Sequence, residues 1–160
     1  MIVILMGVTG AGKTTVGRLL AQQLGWEFAD ADDFHPPANV EKIRNGIALN
    51  DADRQPWLRL LKAEMDTRAK AGRKTVLACS ALKHSYRQEL RAPGVRFVYL
   101  KGSPALIAGR LRTRQGHFAG EEILAAQFAD LEEPDDAIVV HITQSPDEIV
   151  MQIRQALGLG

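Results

Sequence analysis

Short apolar runs alternate along the chain with longer stretches in which apolar residues recur every three or four positions. Ile2-Val-Ile-Leu-Met6 is the first such run, and Trp26-Glu-Phe-Ala29, Thr75-Val-Leu-Ala-Cys79, Arg96-Phe-Val-Tyr-Leu100 and Ala137-Ile-Val-Val-His-Ile142 repeat it. Runs this short and this poor in charge predict strands buried on both faces. After the first, Val16, Leu19, Leu20 and Leu24 keep helical spacing, and Gly25 stands where a helix commonly closes. A second helix is predicted over Asn39 to Asn45. A longer one runs from about Arg54 to Ala71, with Trp57, Leu58, Leu61 and Met65 as its apolar stripe. Ser103-Pro104 and Ser145-Pro-Asp-Glu148 open two more helices, each with an N-cap ahead of a proline, the second also a capping box. The alternation predicts an α/β fold with a parallel sheet covered by helices on both faces, in one domain over residues 1–160. The polar, arginine-rich segment at about 111–121, with Gly116 and Gly120, reads as a mobile lid.

Composition narrows the classes of partner. The 20 Lys and Arg nearly balance 19 Asp and Glu, for a formal charge of +1. That argues against nucleic acid or a polybasic membrane surface as partner, because both need a large cationic excess. Hydrophobic residues make up 46% of the chain, enough for a folded core. Cys79 is the only cysteine, so no intrachain disulfide forms. No apolar stretch near the start reaches membrane length and no basic leader precedes it, so the expected location is cytoplasmic.

Directly after the first run stands Gly7-Val8-Thr9-Gly10-Ala11-Gly12-Lys13-Thr14, then Thr15 and the first helix. This is the G-x-x-x-x-G-K-[ST] pattern of a phosphate-binding loop. Its glycines let the backbone wrap a polyphosphate, and successive N–H groups and the helix N-terminus then face the phosphate oxygens. Lys13 places a cation at the β- and γ-phosphates, and the Thr14 hydroxyl suits Mg²⁺.

Residues beyond the loop restrict the reaction. No Asn-Lys-x-Asp guanine reader exists, and the third strand ends Cys79-Ser80 without the acid that a motor or transport ATPase carries there. The acid stands instead after the second strand, in Asp30-Ala-Asp32-Asp33-Phe-His35. Strand C-terminal ends converge on the ligand crevice of an α/β sheet, so these carboxylates should face Lys13 and Thr14. Asp30 and Asp32, two apart on an extended exit, can divide the holding of hydrated Mg²⁺ from the orienting of an acceptor hydroxyl. An acidic helix start favoured by the dipole gives the same pattern. Arg110 and Arg114, spaced i, i+4, suit either phosphate closure or a solvated cationic helix end. His117 is undecided by pattern.

Over almost its whole length the chain resembles the gluconokinases of the thermoresistant type. The resemblance rests on Asp30-Ala-Asp-Asp-Phe-His-Pro36, Asn39-Val-Glu-Lys42, Leu49-Asn-Asp-Ala-Asp-Arg-Gln-Pro-Trp-Leu58 and Cys79-Ser-Ala-Leu-Lys83 with Tyr86-Arg87. It continues through Leu100-Lys-Gly102, Arg110-Leu, Arg114, Gly116-His-Phe118, Gln127-Phe and Leu131-Glu-Glu-Pro134. It implies a three-layer P-loop kinase fold with a five-stranded parallel sheet, ATP and Mg²⁺, and phosphoryl transfer to the 6-hydroxyl of D-gluconate. Asp32, Arg54, Lys83 and His117 are then the implied acceptor residues. Asp32 orients or deprotonates the hydroxyl, Asp30 places Mg²⁺ through water, and Lys13, Arg110 and Arg114 stabilise the transferring group.

A planar Arg54 suits a carboxylate. Arg54 also comes directly after Asp53, an N-cap candidate, and by itself fits a first-turn helix position; Lys83 equally suits a pair with an aspartate. Trp57 reads as core rather than as a sugar platform. Ala31 and Ala48 depart from the glycine and proline common at those positions in the family. The resemblance also implies a homodimer, although the pattern shows no exposed apolar helix face that requires one. The alternatives are a related small-molecule kinase, acting on shikimate or another sugar acid, and a non-catalytic ATP-binding regulatory module.

Overall fold

The computed structural model describes residues 1–115 and 119–160, and the side chains of 113–122 fall outside that description. The Arg114 side chain and His117 therefore lie outside the described residues.

Five strands, β1 (Ile2–Met6), β2 (Glu27–Asp30), β3 (Thr75–Ala78), β4 (Val95–Lys101) and β5 (Ile138–His141), form one sheet in the order β2-β3-β1-β4-β5. Every neighbouring pair is parallel. The centre of the sheet shows why its sequence lacks alternation. Val3 and Leu5 of β1 enter one core with Val16, Leu20, Ile107, Ile149 and Ile153, while Ile2, Ile4 and Met6 enter another with Trp57, Leu61, Met65, Tyr86 and Tyr99. Both faces are covered, so both sets of side chains are apolar.

The helices are α1 (Lys13–Leu24), α2 (Pro37–Arg44), α3 (Asp51–Lys70), α4 (His84–Leu90), α5 (Pro104–Gln115), α6 (Ala119–Asp130) and α7 (Pro146–Leu157). A single 3₁₀ turn, Ala31–Phe34, comes after β2. Helices α4 and α6 are absent from the sequence reading. Helix α4 has only seven residues, and α6 lacks a clear apolar stripe. The polar stretch read as a lid is largely helical among the described residues, because α5 continues to Gln115 and α6 starts at Ala119.

Two boundaries also move. Helix α3 begins a turn before the expected Arg54, because Asn50 rather than Asp53 is the N-cap. Asn50 Oδ1 accepts from the Asp53 N–H at 2.8 Å, and Asp53 Oδ2 accepts from the Asn50 N–H at 3.0 Å. This reciprocal box satisfies two N–H groups at once. Asp32 lies in the 3₁₀ turn rather than on an extended exit, because the Asp30 carboxylate accepts its N–H at 3.0 Å and folds the chain over. Val40 and Ile43 of α2 and the nearby Ile47 are exposed. No described helix is long and apolar enough to cross a membrane.

Register positions the site. Leu5 and Asp30 both pair with Ala78, so the last residue of β2 stands level with the end of β1, two residues before Gly7. The phosphate-binding loop and the acidic turn therefore emerge from the same edge of the sheet.

Candidate active site

The loop between β1 and α1 adopts a conformation that its glycines make available. Gly10 has φ +80° and Gly12, the N-cap of α1, has φ +95°. A Cβ on Gly10 would also press to 3.0 Å against Ile107 and Leu111. No side chain caps α1 and its first turn holds no acid, so its N–H groups are left for an anion. The Lys13 ammonium folds back over the loop, donating to the carbonyls of Gly7 at 2.9 Å and Val8 at 3.0 Å. Burial pulls its pKa below the ordinary lysine range, while Asp32, Cys79 and Asp30 oppose the shift.

A cavity of about 260 Å³ opens here, lined by Thr9, Gly10, Gly12, Lys13, Thr14, Thr15, Asp30, Asp32, Ala78, Ser80 and Gln127. The expected phosphate residues and both acids thus meet in one space. The acids differ in setting. Burial raises the Asp30 pKa above its ordinary value, with the Asp32 and Asp33 charges adding to it and the hydrogen bond from Asp32 N–H resisting. Asp32 is 79% exposed, and His35, whose Nε2 lies 3.7 Å from Asp32 Oδ1, is the main influence lowering its pKa. His35 itself is fixed: it stacks on Trp57 with ring centroids 4.6 Å apart and meets Asn39 Nδ2 at 3.2 Å. Trp57 is core as expected, and its Nε1–H donates to the Ala31 carbonyl at 2.7 Å, holding the acidic turn from beneath. Buried Cys79 is pushed up to about 12, chiefly by desolvation, and is inert as a thiolate.

A larger cavity of about 910 Å³ adjoins the outer side of the loop, lined by Gly10, Ala11, Gly12, Thr15, Val16, Ala105, Leu106, Gly109, Arg110, Gln144, Pro146 and Ile149. Its apolar walls suit a base and ribose continuing from phosphates held by the loop. Arg110 belongs to this cavity, with Nη2–H donating to the Ile142 carbonyl, and is not among the residues around Asp32.

Arg54 and Lys83 converge on a third group. Arg54 Nη1 donates to the Tyr86 hydroxyl at 2.8 Å and lies 3.6 Å from Asp130 Oδ2. The Tyr86 hydroxyl donates to Asp51, which also pairs with Lys83 at 3.0 Å. The pairing of Lys83 with an aspartate, left open by the sequence, is thus present. Asp51, Tyr86, Gln127 and Asp130 were not singled out from sequence. Asp51, Tyr86 and Gln127 lie in segments that carry the resemblance, whereas nothing in the pattern marks Asp130.

Among the described residues no group of three His, Cys, Asp or Glu side chains could hold a metal. Mg²⁺ fits this donor set in another way, since it commonly keeps several waters and takes one or two protein oxygens beside substrate phosphates. The Thr14 hydroxyl and the Asp30 carboxylate, on the same cavity as the loop, are such oxygens.

The shikimate kinase family model matches residues 9–157. A gluconokinase of Gluconobacter oxydans is 45% identical, over 94% of this chain and 87% of its own. The thermoresistant gluconokinase of Escherichia coli is 39% identical, over 99% of this chain and 94% of its own. Among solved structures, a gluconokinase from Sinorhizobium meliloti superposes with a TM-score of 0.88 at 39% identity, covering 98% of this chain and 90% of its own. With identity at this level across nearly its whole length, the chain belongs to the shikimate kinase family and, within it, to the gluconokinases.

Proposed function

We propose that the protein transfers the γ-phosphoryl group of ATP to the 6-hydroxyl of D-gluconate, giving ADP and 6-phospho-D-gluconate. The observation that carries this reading is the facing of Lys13 and the Asp32 carboxylate across one cavity at the phosphate-binding loop. The loop N–H groups and Lys13 hold the β- and γ-phosphates, and the 910 Å³ cavity with Arg110 takes the adenosine. Thr14, and Asp30 through water, would hold Mg²⁺, which supplies charge neutralisation at the phosphates.

Asp32 accepts the hydrogen of the 6-hydroxyl and aims its oxygen at phosphorus. The new P–O bond forms as the bond to the ADP oxygen breaks, and the hydroxyl proton passes to Asp32. A transition state with loose bonding needs orientation more than a strong base, so a carboxylate of low basicity suffices. Arg54 and Lys83 read the carboxylate and hydroxyls of the acceptor, the planar Arg54 fork being suited to a bidentate partner.

An ADP-release assay across gluconate, shikimate and nucleoside monophosphates tests the reading. Release with gluconate is expected, and turnover of another acceptor in its place would overturn the assignment.

A further inference from the structure

Helix α6 touches both halves of the site from one short segment. Gln127 Oε1 accepts the Thr9 N–H of the phosphate-binding loop, and one turn later Asp130 pairs with Arg54 at 3.6 Å. Both contacts occupy groups that a ligand also wants. Thr9 N–H belongs to the loop that cradles phosphate, and Arg54 is the cation suited to the acceptor carboxylate.

The chain just beyond α6 is fixed. Glu132 N–H donates to the Leu82 carbonyl at 2.8 Å, and Glu132 Oε1 accepts from His84 N–H at 2.8 Å. Arg87, only 1% exposed, reaches the Glu132 carbonyl at 2.8 Å with Nη2 and the Ala81 and Leu82 carbonyls with Nη1. Helix α6 thus stands on an anchored foot, with Gln127 and Asp130 within two turns of it.

Resting on the gluconate reading, we infer that Asp130 is a positioning residue that occupies Arg54 until the acceptor carboxylate replaces it, and that this exchange frees Thr9 through Gln127. The Asp130 carboxylate and an acceptor carboxylate offer Arg54 the same chemistry and compete for it. Once displaced, Asp130 no longer holds α6 over the site. Gln127, on the same helix face, then leaves the loop N–H to the nucleotide phosphate. Acceptor binding therefore tightens nucleotide binding, and by reciprocity nucleotide tightens acceptor binding by the same factor.

The test titrates the full chain with a nonhydrolysable ATP analogue, with and without saturating gluconate. The wild type is expected to bind the analogue about fivefold or more tightly when gluconate is present. Asp130→Asn is expected to bind gluconate more tightly than wild type while losing this enhancement. Gln127→Met should bind the analogue alone more tightly than wild type and lose the enhancement, and Asp130→Glu should restore the wild-type response. Absence of enhancement in the wild type overturns the inference, as does gluconate binding by Asp130→Asn no tighter than wild type or an enhancement that survives in either variant. Lack of gluconate turnover by the wild type counts instead against the acceptor assignment. The same titrations then use the acceptor that is turned over, and an acceptor without a carboxylate overturns the exchange as well.

Discussion

Lys13 is a part-buried ammonium satisfied by two carbonyls of its own loop, Gly7 and Val8, rather than by a carboxylate in contact. A triphosphate offers that charge a better partner, and its depressed pKa reflects the cost of holding it ready. Lys13→Ala is therefore expected to lower turnover by about 10²-fold or more, with an unchanged circular dichroism spectrum. Asp32→Asn should reduce kcat by about 10²- to 10⁴-fold while the affinity for ATP stays near wild type. Equal losses in kcat and ATP affinity would remove Asp32 from the chemistry.

Asp30 makes the opposite demand on the fold. Its raised pKa means that the folded chain holds a proton more tightly than the unfolded one. Stability from this group is greatest below the ordinary carboxylate value, declines as pH rises to the raised one, and stays lost above it. Asp30→Asn keeps an oxygen to accept the Asp32 N–H, so thermal melts at pH 7 without nucleotide should show a higher Tm than wild type. The gain should vanish as pH falls below the ordinary carboxylate value.

Two element contacts fix where these acids stand. Gly17 on α1 lies so close to β2 that an added Cβ would fall 2.6 Å from Phe28 Cε1 and 3.4 Å from Leu5 Cδ1. Alanine favours a helix by about 1 kcal/mol over glycine, whereas overpacking costs about 1–3 kcal/mol. The clash should win, so Gly17→Ala is expected to lower the denaturant midpoint. Beneath the acidic turn, Trp57→Phe removes the bond to the Ala31 carbonyl, leaving it without that buried partner at a cost of about 1–3 kcal/mol. That variant should lose stability in urea titration and turn over more slowly.

The sequence made β1, the phosphate-binding loop, α1 and the acidic turn legible because each is local: a run, a spacing and a cap lie within a few residues. Helix α4 escaped notice because seven residues are too few for a period to show. The start of α3 was misplaced because Asn50 and Asp53 both suit an N-cap, and only their reciprocal bonding decides between them.

Over the whole molecule, the balance of 20 cations and 19 acids resolves into local groupings around one edge of the sheet. Lys13 faces Asp30 and Asp32 at the loop, while Arg54 and Lys83 engage Asp51, Tyr86 and Asp130 between α3, α4 and α6. The first grouping was readable from motif spacing. The second joins residues 51, 54, 83, 86 and 130, and such distant partners meet only through the β2-β3-β1-β4-β5 topology. The same topology sets Arg110 on the outer cavity beside Gly10, Gly12 and Thr15 of the phosphate-binding loop.

Phosphoryl transfer to gluconate through Asp32 is tested most directly by initial rates of ADP release with ATP and Mg²⁺ against a panel of gluconate, shikimate and nucleoside monophosphates, with wild type and Asp32→Asn in parallel. Rapid release is expected with gluconate alone among these acceptors, with near loss of that release in Asp32→Asn. Turnover of a different acceptor, or an Asp32→Asn rate equal to wild type, would contradict it.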